Sequence, residues 1–147
     1  MSKRGPNMKT LNEPKENNKT GKEFELRFLH ELYEHIRKKK IKCEVFQPIV
    51  DDNGIDYIIR TNNGEYREIQ IKSRTKKRPF TIKTDFTRPK DYWLILYYNE
   101  DNDKNMYILN KTDIAHVIKK YGHINITKEL EQYKTDTGDF SRLFKNK

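Results

Sequence analysis

The stretch "REIQIKSR", Arg67–Arg74, decides how the rest of the chain is read. Its residues alternate as in a β-strand: Ile69 and Ile71 fall on one face, Glu68, Gln70 and Lys72 on the other. A half-buried strand turns polar side chains to water, and that alone would account for the pattern. A carboxylate, an amide and an ammonium in succession, followed at once by the basic loop "SRTKKRP" (Ser73–Pro79), also suit the handling of a phosphate. What else shares that face decides between the two.

Four further segments read as strands: "CEVFQPIV" (43–50), "IDYIIR" (55–60), "DYWLILYY" (91–98), which is apolar enough to be central, and "MYILN" (106–110). "DDNG" (51–54) and "NEDNDKN" (99–105) read as turns. "TGKEFELRFLHELYEHIRKKK" (20–40) has helical periodicity, with Thr20 as its cap and basic residues at its end. "KTDIAHVIKKYG" (111–122) reads as a second helix closed by Gly122, and "TKELEQYK" (127–134) as a short third. Residues 1–19 carry Pro, Asn, Lys and Glu without periodicity and read as a flexible basic arm, followed by one domain over 20–147. The expected fold class is α/β of mixed α+β character: an N-terminal helix, then a mixed five-stranded sheet flanked by helices.

The formal charge is +9, from 31 basic and 22 acidic residues, which favours a polyanionic partner, most commonly nucleic acid. No apolar run approaches the roughly 18 residues that span a bilayer, and the first twenty residues lack the apolar core of a secretory signal. A cytoplasmic protein without membrane contact is the expectation. The single cysteine, Cys43, cannot form an internal disulfide and reads as a small core residue. The zinc-ligand patterns and Gly-rich phosphate loops of known type are absent from the sequence. Tyr97 and Tyr98 read as packing residues rather than base-stacking ones.

Three observations converge on the polar face of 67–74. On a helical wheel of about 100° per residue with Glu25 at zero, Leu29 lies about +40°, Leu32 about −20°, Ile36 about +20° and Phe28 about −60°. Glu25 therefore falls within the apolar stripe, where a carboxylate needs a cation or donor; a place in the first turn, near solvent and the helix dipole, is the other explanation. Next, "NNG" (Asn62–Gly64) fits a three-residue hairpin loop with Gly in the left-handed position. Centring on Asn63 sets Asp56 opposite Gln70 and Ile58 opposite Glu68, so that Asp56, Gln70 and Lys72 share a face. Last, Arg74, Lys76, Lys77 and Arg78 follow with no acid among them. The oxygens of Asp56 and Gln70 are hard ligands suited to Mg²⁺ or Mn²⁺, and Lys72 beside them could orient a water or neutralise transition-state charge.

The ordered set resembles the PD-(D/E)xK nuclease superfamily of restriction endonucleases and junction resolvases. "GIDYII" supplies Asp56, "IQIK" supplies Gln70-Ile71-Lys72, and "TGKEFE" supplies the helix Gly21 and Glu25. The resemblance covers roughly residues 20–98 and departs from the common pattern at Gln70, where most members carry an acid, and at Ile55, where a Pro is frequent. It implies a restriction-endonuclease-like core and Mg²⁺- or Mn²⁺-dependent hydrolysis of DNA, with RNA as the other polynucleotide substrate. Asp56, Gln70 and the Ile71 carbonyl would bind metal, with Glu25 or Glu68 as a further ligand, Glu68 facing solvent at the sheet edge in the other reading. Lys72 would position water, and Ser73, Arg74, Lys76, Lys77 and Arg78 would hold backbone phosphate. A homodimer would address two strands. The alternatives are a nucleic-acid-binding module of the same fold without activity, and a regulatory or interaction protein of a defence or mobile-element system.

Overall fold

The computed structural model describes residues 4–49, 54–82, 91–119 and 122–145, with the side chains of residues 4–20 excepted. The turn expected at 51–54 therefore lies largely outside the described residues. Helix α1 (Arg4–Lys39) begins well ahead of the cap expected at Thr20, so residues 4–19, read as an arm without periodicity, are helical from Arg4. It ends on Arg37, Lys38 and Lys39, and Lys40 then turns left-handed (φ +54°). The Ile41 N–H reaches back to the Ile36 carbonyl (3.0 Å), which satisfies a terminal carbonyl.

The strands are β1 (Cys43–Phe46), β2 (Tyr57–Thr61), β3 (Tyr66–Arg74), β4 (Phe80–Thr81), β5 (Asp91–Glu100), β6 (Asp103–Asn110), β7 (Ile118–Lys119), β8 (His123–Ile124) and β9 (Lys134–Thr135). Helix α2 (Lys111–Val117) and helix α3 (Lys128–Glu131) interrupt them. A six-stranded mixed sheet runs β1-β2-β3-β5-β6-β9, in which only β3 and β5 are parallel neighbours. All five expected strands are in it, and the two-residue β9 adds a sixth. A second sheet, β4-β8-β7, has no counterpart in the expected order.

The "NNG" loop forms as the sequence suggests. Thr61 and Glu65 close it through the Thr61 N–H and the Glu65 carbonyl (2.8 Å), and Gly64 is left-handed at φ +81°. The register that follows pairs Tyr57 with Ile69 and Ile58 with Glu68, the one centred on Asn63. Gly122, expected to close the second helix, does something else. Helix α2 stops at Val117, and Gly122 leads into β8 with φ +73°.

The large sheet separates two cores. On one face Phe24, Phe28 and Leu32 of α1 meet Tyr57, Ile59, Ile69, Ile71, Trp93 and Ile95. On the other Tyr92, Leu94, Leu96 and Leu109 meet α2, α3 and the second sheet. Arg67 is 1% exposed. Its guanidinium donates to Asp91, to Glu65, and to the carbonyls of Leu143 and Lys145, and it lies beside the Trp93 ring. His35 is buried at the C-terminal end of α1, where its Nδ1 accepts the Phe140 N–H (3.4 Å) and its ring stacks on Phe144. Cys43, expected in the core, is partly buried and packs against the edge of the first core, and that burial pushes its thiol up.

Two predictions follow from these buried polar groups. Replacing Arg67 by Met should cost about 3 kcal/mol or more in urea unfolding, because a buried ion pair loses one partner. The double change Arg67→Met with Asp91→Leu should recover part of that loss; no recovery would mean that the pairing is not its cause. His35 is held below the ordinary histidine value of 6.5, chiefly by burial and also by Lys39, with Asp139 and the Gly138 backbone opposing. Below that value the unfolded chain takes up the proton before the folded one does, so stability, full above it, should decline as pH falls. Urea midpoints measured from about pH 8 to about pH 5 should show this decline in the wild type and a flatter profile in His35→Gln, which keeps an acceptor without titrating.

Candidate active site

Asp56 stands immediately before β2, and its backbone and side chain do different jobs. Its N–H donates to the Ile69 carbonyl (2.8 Å), so that Asp56 and Tyr57 both lie against Ile69 where the pairing ends. Its carboxylate Oδ2 accepts the N–H of Ile71 (2.7 Å). A side chain thus takes the place of a backbone carbonyl in the last rung, and β2 ends its pairing while β3 continues to Arg74. The strand end beyond Ile71 is left to be flanked by other elements on that side.

Because Ile58 pairs with Glu68, the face carrying Glu68, Gln70 and Lys72 also takes Ile58; the pairing stops at Tyr57 and Ile69, and Asp56, expected opposite Gln70, instead bonds through its N–H to the Ile69 carbonyl and through its carboxylate to the Ile71 N–H. The parallel register adds Tyr92, Leu94 and Leu96 of β5 on the other side. Along this face exposure rises toward the strand end: Glu68 and Gln70 are each 3% exposed, and Lys72 is half-buried. Glu68 is therefore buried, not turned to solvent at a sheet edge; β3 lies inside the sheet between β2 and β5. Gln70 Oε1 accepts a hydrogen bond from the Tyr92 hydroxyl, which fixes the amide.

Glu25 sits differently from the wheel. The face of α1 that is buried runs through Phe24, Phe28, Leu32 and His35, which leaves Glu25 half-buried at its border. Burial first, and then the charges of Glu25 and Asp56, push the Tyr57 phenol up, so both carboxylates act on the same ring. The opposite border of α1 carries a cluster that the sequence reading did not identify. Arg27 bridges Glu31 (3.3 Å) and lies over the Tyr97 ring, and the Tyr97 hydroxyl donates to Glu31 (3.0 Å). These contacts join α1 to β5, and Tyr97 and Tyr98 are both buried, as packing residues are.

Beyond Ile71 the polar face opens into a groove of about 670 Å³. Lys72, Ser73, Arg74 and Arg78 line it, together with Gly21 of α1 and His123 of β8. Four of the expected phosphate-binding and catalytic residues are thus brought together. Lys76 and Lys77 are exposed on the same loop outside the lining. Gly21 is one helical turn before Glu25, on the same side of α1, which places Glu25 next along from the groove. No heavy atom stands within 4 Å of where a Gly21 Cβ would be, so that wall is open. Arg74 donates to the Pro79 carbonyl (3.1 Å) and the Ser73 carbonyl (3.1 Å), which bends the loop back over the strand end. Burial, and then the like charge of Arg78, lower the Arg74 guanidinium. His123, Thr81 and Tyr92 were not singled out from the sequence. Their places depend on pairings between strands far apart in the chain.

Among the described residues no three His, Cys, Asp or Glu side chains converge as a metal-binding group. Mg²⁺ is commonly held by one or two carboxylates together with substrate phosphate and water, and Asp56 and Glu25 suit that smaller requirement. No helix among the described residues is long and apolar enough to cross a membrane. No protein-family model, curated protein or solved structure matches the chain.

The double duty of Asp56 gives a testable distinction. Asp56→Ala should lower stability by about 1–3 kcal/mol, since the Ile71 N–H loses a partly buried acceptor. Asp56→Asn keeps an amide oxygen there and should recover most of it in chemical unfolding. Equal losses in the two variants would show that the hydrogen bond to Ile71 does not hold the strand.

Proposed function

We propose that the chain is a metal-dependent endonuclease that hydrolyses phosphodiester bonds in DNA, with a restriction-endonuclease-like core of the PD-(D/E)xK type. The observation that carries this reading is the end of the β2–β3 ladder. There the Asp56 carboxylate is held at the N–H of Ile71, the residue before Lys72, and Lys72 leads into a groove whose described lining carries two more permanent cations and no carboxylate. An ammonium between a carboxylate and a cationic groove suits a phosphate that must be held and attacked at the same place.

Each residue has a role in that reading. Arg74 and Arg78, with Ser73, hold the phosphates flanking the scissile bond, and Lys76 and Lys77 add longer-range attraction from the exposed loop. Lys72 donates to the attacking water or to a non-bridging oxygen, orienting the one and drawing charge from the other. Glu25 accepts from a water at the border of α1. Gln70, its amide fixed by Tyr92, presents a neutral polar group where a charge would be buried. A Mg²⁺ or Mn²⁺ ion at Asp56, with Gln70, the Ile71 carbonyl and Glu25 or Glu68 as neighbouring donors, would supply Lewis acidity toward the phosphoryl oxygen.

One observation favours a second reading. The Gln70 oxygen is engaged by the Tyr92 hydroxyl and the residue carries no charge, as expected if this face binds nucleic acid without cutting it. Cleavage separates the two. Wild type incubated with supercoiled plasmid or branched DNA in Mg²⁺ or Mn²⁺, but not in EDTA, should produce nicked or linear product. Lys72→Ala should reduce the rate about 10²–10⁴-fold with DNA affinity nearly kept. Undiminished cutting by that variant would discard the assignment, and salt-sensitive binding by a wild type that never cuts would leave the second reading.

A further inference from the structure

The groove beside Lys72 has two walls, and the roles above occupy only one. That wall is the end of β3 and the Ser73–Pro79 loop. The other comes from the second sheet, where Thr81 of β4 pairs with His123 of β8 and both residues line the groove. Their approach is fixed by the backbone. The Ile82 N–H donates to the Gly122 carbonyl (2.8 Å), and a Cβ at Gly122 would stand 2.6 Å from the Ile82 carbonyl oxygen. Only glycine permits that contact at φ +73°, so the strands carrying Thr81 and His123 are held in register by a residue chosen for closeness.

The lining is also chemically one-sided. It offers the cations of Lys72, Arg74 and Arg78, the hydroxyls of Ser73 and Thr81, and the imidazole of His123. Among the described lining residues there is no Asp or Glu to bind a cation or repel an anion. Among the same described residues no Phe, Tyr or Trp offers a platform for a base, and no Asn or Gln amide could pair with adenine. Groups of this kind fit phosphate oxygens, and the mutual repulsion of Arg74 and Arg78 is relieved by an anion between the walls.

We propose that Thr81 and His123 form the second jaw of a clamp on the sugar–phosphate backbone, so that the groove holds a polynucleotide without reading its sequence. The inference rests on nucleic acid being the partner, and not on cleavage. Thr81 and the imidazole donate to phosphate oxygens from one side while Ser73, Arg74 and Arg78 do so from the other.

The test is binding by the full chain in EDTA, read as fluorescence anisotropy of labelled DNA of two unrelated sequences, over a series of salt concentrations. His123→Ala and Thr81→Val should each weaken binding about threefold to tenfold, by the same factor on both sequences. His123→Gln, which keeps a donor, should recover most of the loss, and Arg78→Ala should lower the salt slope by about one. Melting curves of each variant identify any loss due to unfolding. Unchanged affinity in both jaw variants, beside a loss in Arg78→Ala, would overturn the second jaw while nucleic-acid binding stood. Losses that differ between the sequences would overturn backbone recognition. A wild type without salt-sensitive binding would remove the clamp and the nucleic-acid partner together. Jaw-dependent binding in a protein that never cuts would support the clamp and remove only the hydrolysis.

Discussion

The ion pair of Arg67 with Asp91 stands at the first rung of the parallel pairing between β3 and β5, and the register of everything beyond it depends on that rung. A parallel pair has no hairpin to set its alignment; the chain leaves β3 at Arg74 and returns at Asp91 after a long crossover. Register must therefore come from side chains. A guanidinium that is 1% exposed is costly to bury, and this one is matched by two carboxylates and two backbone carbonyls. Slipping the strands by one residue would separate it from Asp91 and turn Gln70 and Lys72 toward the core of α1. The pair is thus better understood as fixing alignment than as adding raw stability. The carbonyls of Leu143 and Lys145 extend its reach to the C-terminal segment.

How much of this was legible follows from the range of each interaction. The β2–β3 hairpin was readable because its register is written locally, in "NNG" and in the alternation on either side. That register does not carry past Tyr57: Asp56, expected opposite Gln70, bonds instead to Ile69 and Ile71. The helix face was readable only in part. A wheel centred on Leu29 and Ile36 places Glu25 within the stripe, but the aromatic rings of Phe24 and Phe28 and the imidazole of His35 draw the buried face to one side. Leu26 and Tyr33, by contrast, remain exposed. The second sheet left no periodic signal, since strands of two residues cannot alternate. His123 and Thr81 could not be assigned to the groove before that sheet was known. Gly122 was legible as a residue with special backbone needs, but the need is close approach to Ile82 and not the end of a helix.

The departure at Gln70 has a physical account in the same face. Glu68 is two residues away on β3, on the same side and equally buried. Successive same-face residues of a strand are about 7 Å apart. A second carboxylate at position 70 would face the first across a poorly solvated interior, where like charges are not screened as they are in water. An amide avoids that repulsion and still accepts the Tyr92 hydroxyl. On the proposed nuclease reading, the acid of β3 lies one same-face step further inside than an acid-x-Lys pattern would put it. Asp56, at the Ile71 N–H, and Glu25 of α1 both act on Tyr57 and are the acids the proposed reading draws on. A site assembled this way draws its acids from two separate elements and its cations from a third, so its geometry depends on how α1 is seated on the sheet. The Arg27, Glu31 and Tyr97 contacts and the seating of His35 on the C-terminal segment hold that helix in place, far from the phosphate they would help to position.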